Sequence, residues 1–92
     1  MNTERRLGFL GIIVLRKDSV EEVNRILSRF GNLIRGRIGV PNHEDGSAVI
    51  GLILEGNNDE IGALTGKLGN LPGILVKSAM APAEKIKGET IK

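Results

Sequence analysis

The sequence predicts an α+β sandwich in which one four-stranded antiparallel sheet carries two helices on one of its faces. Two observations predict it: four segments have the apolar patterns of strands, and two segments between them have helical spacing. Their order is β-α-β-β-α-β, which right-handed crossovers fold into a split βαβ arrangement with the first and third strands at the centre. We expect a single domain over residues 1–80, followed by a polar, flexible tail over residues 81–92.

Two of the strand segments are apolar on both faces. Residues 6–15 (RLGFLGIIVL) and 47–56 (SAVIGLILEG) are nearly continuous apolar runs, as buried strands are. In the predicted sheet these are the central strands, so one apolar face packs on the helices and the other would face water in a monomer. A contiguous exposed apolar patch usually marks an interface. We therefore predict a homodimer or a higher homo-oligomer, joined through sheet faces or sheet edges.

The other strand segments are shorter or more polar. Residues 33–40 (LIRGRIGV) alternate, which predicts a half-exposed strand. One face of it is expected to carry Ile34, Ile38 and Val40, and the other Leu33, Arg35 and Arg37. Residues 41–46 (PNHEDG) are dense in turn formers and predict a hairpin, and residues 74–80 (ILVKSAM) predict the last strand.

The first helix is predicted over residues 18–31 (DSVEEVNRILSRFG). Its apolar positions fall on one face, namely Val20, Val23, Leu27 and Phe30. Ser19 and Glu22 stand three residues apart at its start and predict a capping box, and Gly31 provides the stop.

The second helix is predicted over residues 57–73 and contains a glycine-rich stretch, GALTGKLG, at 62–69. A phosphate-binding loop of the G-x-x-x-x-G-K-[ST] type does not fit this stretch. Its first glycine, Gly62, is one residue too close to the Gly66–Lys67 pair, and Leu68 stands where the motif requires a hydroxyl. In addition, Asn57 and the acidic residues after it place the start of the helix before the glycines. Instead, the apolar residues Ile61, Leu64, Leu68 and Leu71 share a face that can dock on the sheet.

Gly62, Gly66 and Gly69 fall together on the opposite face of this helix. Each costs a helix interior about 1 kcal/mol relative to alanine. Two interpretations stay open: a tolerant surface helix, or an interface at which another helix or a ligand lies against the bare stripe.

Two further groups are candidates for ligand binding. Residues 16–19 (RKDS) lead into a helix N-terminus, where free N–H groups favour anions, so Lys17, Asp18, Ser19 and Val20 form a candidate small-ligand site. The alternative is that Asp18 and Ser19 only cap the helix. Arg35 and Arg37 are two apart on one strand face and can grip a carboxylate or phosphate together, although such pairs also serve as a solvated face or protect a sheet edge.

The composition argues against several functions. With one histidine and no cysteine, the consecutive residues His43, Glu44 and Asp45 predict a solvated turn rather than a metal site, and we expect no cofactor. No catalytic constellation is visible, so we expect a non-enzyme. A net charge of +2 and only two aromatic residues, Phe9 and Phe30, argue against nucleic-acid binding. The lack of cysteine and of a long apolar run agrees with a cytoplasmic location off the membrane.

Residues 47–80, together with the element order, resemble the ACT-like regulatory domains. They are especially similar to a family of small stand-alone proteins named iron-only hydrogenase system regulators. The most similar points are NDEIGALTGKLG (58–69), the LPG turn (71–73) and ILVKS (74–78). The resemblance implies a ferredoxin-like fold, oligomeric assembly and a regulatory role.

The hairpin and third strand also resemble the C-terminal domain of nickel-responsive repressors, a relative of the ACT fold. In that family a His-x-His pair and a cysteine hold the metal. The matching positions here are Val40, Asn42 and Ala48, which cannot bind nickel in that way. The repressors also carry an N-terminal DNA-binding arm, whereas only MNTERR precedes the first strand. Both departures argue against a metal-gated DNA repressor.

From the sequence we therefore expect a cytoplasmic, homo-oligomeric regulatory module, in an iron-only hydrogenase system, that senses a small molecule or a partner protein. Its ligand site is expected in the 16–20 loop beside a subunit boundary. The alternatives are a protein-interaction adaptor with no small ligand and, less favoured, a regulator that binds DNA directly.

Overall fold

A computed structural model describes residues 5–42 and 44–81 of the chain. The strands are β1 (Arg6–Val14), β2 (Ile34–Pro41), β3 (Ala48–Gly56) and β4 (Ile74–Met80), and the helices are α1 (Val20–Arg29) and α2 (Asn58–Gly69). Short 3₁₀ turns, Lys17–Ser19 and Gly31–Leu33, precede and follow α1. Residues 82–92, the greater part of the segment expected to be a flexible tail, lie outside the described residues. No helix in the described ranges is long and apolar enough to cross a membrane.

The four strands form one antiparallel sheet in the order β2-β3-β1-β4. This confirms the predicted arrangement, with β1 and β3 at the centre. Alternate residues of the central strands, such as Leu10 and its cross-strand partner Leu52, are fully buried beneath the helices. Residues from α1 and α2, among them Leu27 and Leu64, complete the same core. Because side chains alternate along a strand, the intervening residues point to the other side of the sheet.

That other side is an exposed apolar surface, which we call the open face. Its large hydrophobic side chains are between 40% (Ile13) and 67% (Ile38) exposed. They are Leu7, Phe9, Ile13 and Leu15 from β1 and its end, Ile38 and Val40 from β2, Val49 and Ile53 from β3, and Leu75 from β4. The apolar face that the sequence predicted for a monomer is therefore present.

Strand β2 departs from the predicted alternation. Ile34 pairs with Leu54 on the core side, whereas Ile38 and Val40 pair with Gly51 and Val49 on the open face. The prediction that Ile34, Ile38 and Val40 share a face is therefore wrong. A register shift between Ile34 and Gly36 inserts an extra residue, and such a bulge reverses the alternation beyond it.

The start of α1 also differs from the prediction, because Ser19 makes no side-chain capping bond. Its side chain is buried, and its hydroxyl donates to the carbonyl oxygen of Pro72 at 2.9 Å. The predicted capping box with Glu22 is thus wrong: Ser19 lies under the α2–β4 connection, where a buried hydroxyl needs a partner. It ties the start of α1 to that connection.

Helix α2 begins with the capping box that α1 lacks. The side-chain oxygen of Asn57 accepts from the N–H of Glu60 at 2.8 Å, and the Glu60 carboxylate accepts from the N–H of Asn57 at 3.0 Å. These bonds satisfy two N–H groups that a helix start leaves free. Of the four predicted sheet-facing residues, Ile61, Leu64 and Leu68 are buried, and Leu71 lies beyond the end of α2, half-buried against the core.

We predict that Ser19→Ala lowers the free energy of unfolding by about 1 kcal/mol, because the Pro72 carbonyl loses a buried hydrogen bond. Urea denaturation measures the change. The control is Ser28→Ala on the exposed side of α1, which should alter stability by less than about 0.5 kcal/mol. Equal unfolding midpoints for Ser19→Ala and the unmodified chain would contradict this role.

Candidate functional site

A groove of about 620 Å³ lies between the start of α1 and the β2–β3 hairpin. We call it the α1–hairpin groove. Its volume is within the range of small-molecule sites. One wall comes from the turn before α1 and from its first turns, with Lys17, Asp18, Val20, Glu21 and Asn24. The opposite wall comes from the hairpin and adjoining strand ends, with Pro41, Asn42, Gly46, Ser47 and Ala48.

A close contact between Lys17 and Gly46 joins the two walls. Gly46 has φ of +80°, and a Cβ at this position would lie 2.9 Å from the Cβ of Lys17. Glycine is therefore required here both by the backbone conformation and by the space. Beside it, the Arg16 guanidinium holds the Asp18 carboxylate at 2.9 Å.

The hairpin wall is ordered by short polar contacts. Asp45 accepts hydrogen bonds from the N–H of Ser47 at 3.0 Å and from its hydroxyl at 2.7 Å. Asn42 accepts from the N–H of Glu44 at 3.1 Å through its side chain. The backbone N–H of Ser47 and then its hydroxyl stabilise the charged carboxylate, so the pKa of Asp45 lies below its ordinary value.

The α1–hairpin groove has mixed charge rather than the positive character of an anion site. Lys17 contributes one cation, whereas Asp18 and Glu21 contribute carboxylates. Glu21 and Glu22 lie in the first turn of α1, where they complement the positive end of the helix dipole. Asn24, Asn42 and Ser47 add neutral donors and acceptors. The arrangement suits a polar molecule that both donates and accepts hydrogen bonds.

The structure brings together only part of the predicted ligand set. Lys17, Asp18 and Val20 line the α1–hairpin groove, while Ser19 is committed to Pro72. The predicted residues therefore lie beside a groove, and their role in ligand binding stays a prediction. The hairpin residues Asn42 and Ser47 were missed, because only the tertiary fold brings them opposite α1.

Arg35 and Arg37 do not act as a pair. The Arg35 side chain donates to the Glu55 carboxylate at 3.0 Å, whereas Arg37 donates to the side-chain oxygen of Asn24 at 2.6 Å. Arg35 lies within the bulge between Ile34 and Gly36, whereas Arg37 lies in the regular part of the strand. Arg37 thus touches the margin of the α1–hairpin groove through Asn24, and Arg35 belongs to an ion pair elsewhere.

The three glycines of α2 lie on its exposed side. A Cβ added at Gly62, Gly66 or Gly69 would meet no atom within 4 Å outside the local helix backbone. Helix α2 starts at Asn58, before these glycines, which agrees with rejecting a phosphate-binding loop. Nothing within the described part of the chain packs on the stripe.

The described residues contain no cluster of side chains that could bind a metal ion. Over 5–42 and 44–81, no group of three or more histidine, cysteine, aspartate or glutamate side chains could hold an ion. His43, which was considered with Glu44 and Asp45 as a possible ligand, lies outside those ranges.

Residues 6–78 match the model of the TM1266-like family, described as "Iron-only hydrogenase system regulator, putative". The chain belongs to the TM1266-like family. Protein TM1266 from Thermotoga maritima is 40% identical to this family member, has a TM-score of 0.79, and is aligned over 86% of this chain and 100% of its own. The resemblance stated from residues 47–80 is therefore confirmed. No curated protein matches the sequence.

More distant structures share the fold of this TM1266-like protein. The C-terminal domain of MgtC from Mycobacterium tuberculosis has a TM-score of 0.65 at 15% identity, over 88% of this chain and 93% of that domain. CPII, a nitrogen regulatory PII-like protein from Thiomonas intermedia K12 solved with ADP, AMP and bicarbonate, has a TM-score of 0.50 at 20% identity, over 89% and 100%. These likenesses concern the fold, and they confirm the expected ferredoxin-like class.

We predict that Gly62→Ala combined with Gly66→Ala raises the free energy of unfolding by about 2 kcal/mol, because each alanine removes the helical cost of glycine where space is open. Thermal or urea unfolding measures it. Gly46→Ala is the control of opposite sign, since it forces a side chain into positive φ against Lys17. A double variant that is less stable, or that loses a native assembly, would show that a partner packs on the stripe.

We predict that Ser47→Ala raises the pKa of Asp45 toward its ordinary value, because the hydroxyl donor is lost while the backbone donor stays. An NMR titration of the Asp45 carboxyl carbon measures this. A lowered folded-state pKa stabilises the fold above the unfolded-state value, and that contribution disappears as the pH falls through the folded-state pKa. Ser28→Ala on α1 should leave the titration unmoved; an unchanged Asp45 midpoint in Ser47→Ala would count against the hydroxyl's role.

Proposed function

We propose that this chain is a regulatory protein of an iron-only hydrogenase system that senses a small molecule, or a partner protein, as a homo-oligomer in the cytoplasm. The observation that carries the proposal is the α1–hairpin groove, built on the loop where the sequence predicted a ligand. Membership of the TM1266-like family supports the regulatory role.

The lining of the α1–hairpin groove supports a small polar effector. In the described residues, neither Lys17 nor Glu21 takes part in a hydrogen bond or ion pair of its side chain. Their charges are therefore available to a bound molecule. Val20, Pro41 and Ala48 provide an apolar surface between the polar groups. Pockets of this kind orient a ligand through a few polar contacts and gain affinity from apolar area.

The same lining supports binding rather than catalysis. Ser47 is the hydroxyl that lines the groove, and it donates to Asp45. A carboxylate whose pKa is lowered is a weak base, so it cannot activate that hydroxyl as a nucleophile near neutral pH. We propose on this ground that the protein is not an enzyme.

A thermal-shift screen tests the sensing function. The probes are amino acids, divalent metals, adenine nucleotides and bicarbonate; the last two are included because CPII, which shares the fold, was solved with ADP, AMP and bicarbonate. A ligand at about 100 times its Kd adds roughly 2.7 kcal/mol, which for a domain of this size raises Tm by about 10 °C or more.

The groove variant Lys17→Ala with Glu21→Ala should lose the response. Its matched control, Asp59→Ala with Lys67→Ala on exposed positions of α2, should keep the response, because both pairs remove one positive and one negative charge. A response that survives the groove variant would place the ligand elsewhere. No response from the unmodified chain to any probe would instead favour the adaptor without a small ligand.

A further inference from the structure

We infer that the open face is covered by a second copy of this chain, packed sheet against sheet. The inference deepens the homo-oligomeric part of the proposed function and does not depend on what binds in the α1–hairpin groove. It rests on the area, the charge and the shape of the open face.

The area of the open face is that of a stable interface. Its nine residues, each between 40% and 67% exposed, together leave roughly 900 Å² in contact with solvent if a fully exposed residue of this kind presents about 200 Å², near the value for an aromatic side chain. The largest apolar patch on a typical monomer is about 300–600 Å². A standard protein interface buries about 800 Å² on each partner. The exposed apolar area of the open face therefore exceeds the largest apolar patch of a typical monomer and matches the area that one partner buries in a standard interface.

The distribution of charge favours an apolar partner. Lys77 lies opposite Gly11 on the open face, and the ion pair of Arg35 with Glu55 lies at its margin. The side chains between them, from Phe9 and Ile53 to Ile13 and Val49, are apolar and contiguous through the register. In a two-fold arrangement the open face of one subunit packs on the open face of the other. The apolar side chains of the central strands then cover one another, and no charged side chain between them is buried.

The shape of the open face is suited to another sheet. Gly11 and Gly51 lie directly opposite each other at its centre, and the Phe9 ring lies down over both. A Cβ on Gly51 would come within 3.1 Å of two ring carbons of Phe9 and 3.3 Å of Ile38. The glycine pair thus keeps the ring close to the sheet and leaves a hollow of about 330 Å³ beside it, lined also by Ile13, Ile38, Val49 and Leu75. Sheets that pack face to face lie about 10 Å apart and interdigitate their side chains, so an apolar side chain of the second copy can fill this hollow.

One of the two sheet edges, strand β2, is less suited to self-association. Edge strand β2 carries the bulge between Ile34 and Gly36 and ends in Pro41, which has no N–H to donate. Bulges and prolines are features that prevent an edge from pairing with another strand. Of the two modes that the sequence left open, we infer the face, because it carries the exposed apolar area.

The test is analytical ultracentrifugation of the full chain and two variants with the same charge change. Val49→Lys adds a cation on the open face, two residues from Gly51 along β3, where the side chain is already half exposed. The subunit should therefore fold, and circular dichroism checks that it does. Ala63→Lys adds a cation beside the glycine stripe on exposed α2. We expect a dimer for the unmodified chain and for Ala63→Lys, and a monomer for Val49→Lys.

A second measurement protects the test against a variant that fails to fold. Because the chain has no cysteine, single substitutions Val49→Cys and Ala63→Cys each introduce one thiol. We expect a maleimide to label Val49→Cys slowly at concentrations where the dimer forms and quickly on dilution, and to label Ala63→Cys quickly at both.

The inference is overturned if the unmodified chain is monomeric, if Val49→Lys leaves the assembly intact, or if Ala63→Lys disrupts it as much as Val49→Lys does. A monomer that still shows a thermal shift removed by the groove variant would retain the sensing function without this interface. A dimer with no response to any probe would retain the interface without a small-molecule effector.

Discussion

The pairing of β1 with β3 is the constraint on which the other features depend. Leu10 lies opposite Leu52 in the core, and the next pair, Phe9 with Ile53, lies on the open face. A slip of one residue would exchange the two faces of a strand. Because both faces are apolar, hydrophobicity alone specifies this register weakly. The pair Gly11–Gly51 adds specificity, because only in this register does the Phe9 ring pack against both glycines.

The same pairing positions the α1–hairpin groove. Strand β1 ends where Val14 pairs with Ala48, and Ala48 begins one wall of the groove. After β1, the N–H of Leu15 donates to the carbonyl oxygen of Gly73 in the α2–β4 connection at 2.7 Å. This bond fixes the chain on one side. On the other side the chain touches Gly46 of the hairpin. Side-chain bonds of Asn42 and Ser47 also order the hairpin wall, so the charged lining side chains that remain available to a ligand in the described residues are Lys17 and Glu21.

The sequence predicted what depends on local periodicity and missed what depends on long-range neighbours. Six elements and their order follow from apolar spacing, and the strand 74–80 agrees with the structure at both ends. Ser19 and Asn57 show the limit, because each is followed by glutamate three residues later and only Asn57 forms the capping box. The difference is that Ser19 lies beneath Pro72, which no local pattern reveals. The bulge after Ile34 is also not visible in the local sequence pattern, and because of it Arg35 and Arg37 have different hydrogen-bond partners.

One wall of the α1–hairpin groove coincides with residues that the sequence singled out, again because they are neighbours along the chain. Lys17, Asp18 and Val20 belong to one short loop, and a loop that leads into a helix is visible in the sequence. The opposite wall depends on how the hairpin folds back, which the positive-φ residue Gly46 and the bonds of Asp45 decide. In the sequence, the hairpin residues predict only a turn, because their contribution to the groove depends on the position of that turn opposite α1.

The ends of β2 and β3 connect the α1–hairpin groove with the open face. Pro41 and Ala48 line the groove, and the adjacent pair, Val40 with Val49, lies on the open face, because consecutive strand residues alternate between the two sides. A displacement of this hairpin therefore changes both surfaces at once. A ligand shifts assembly only to the extent that it binds the two assembly states with different affinity, and the assembly then changes ligand affinity by the same factor. The hairpin is the element in which such a difference in affinity can arise.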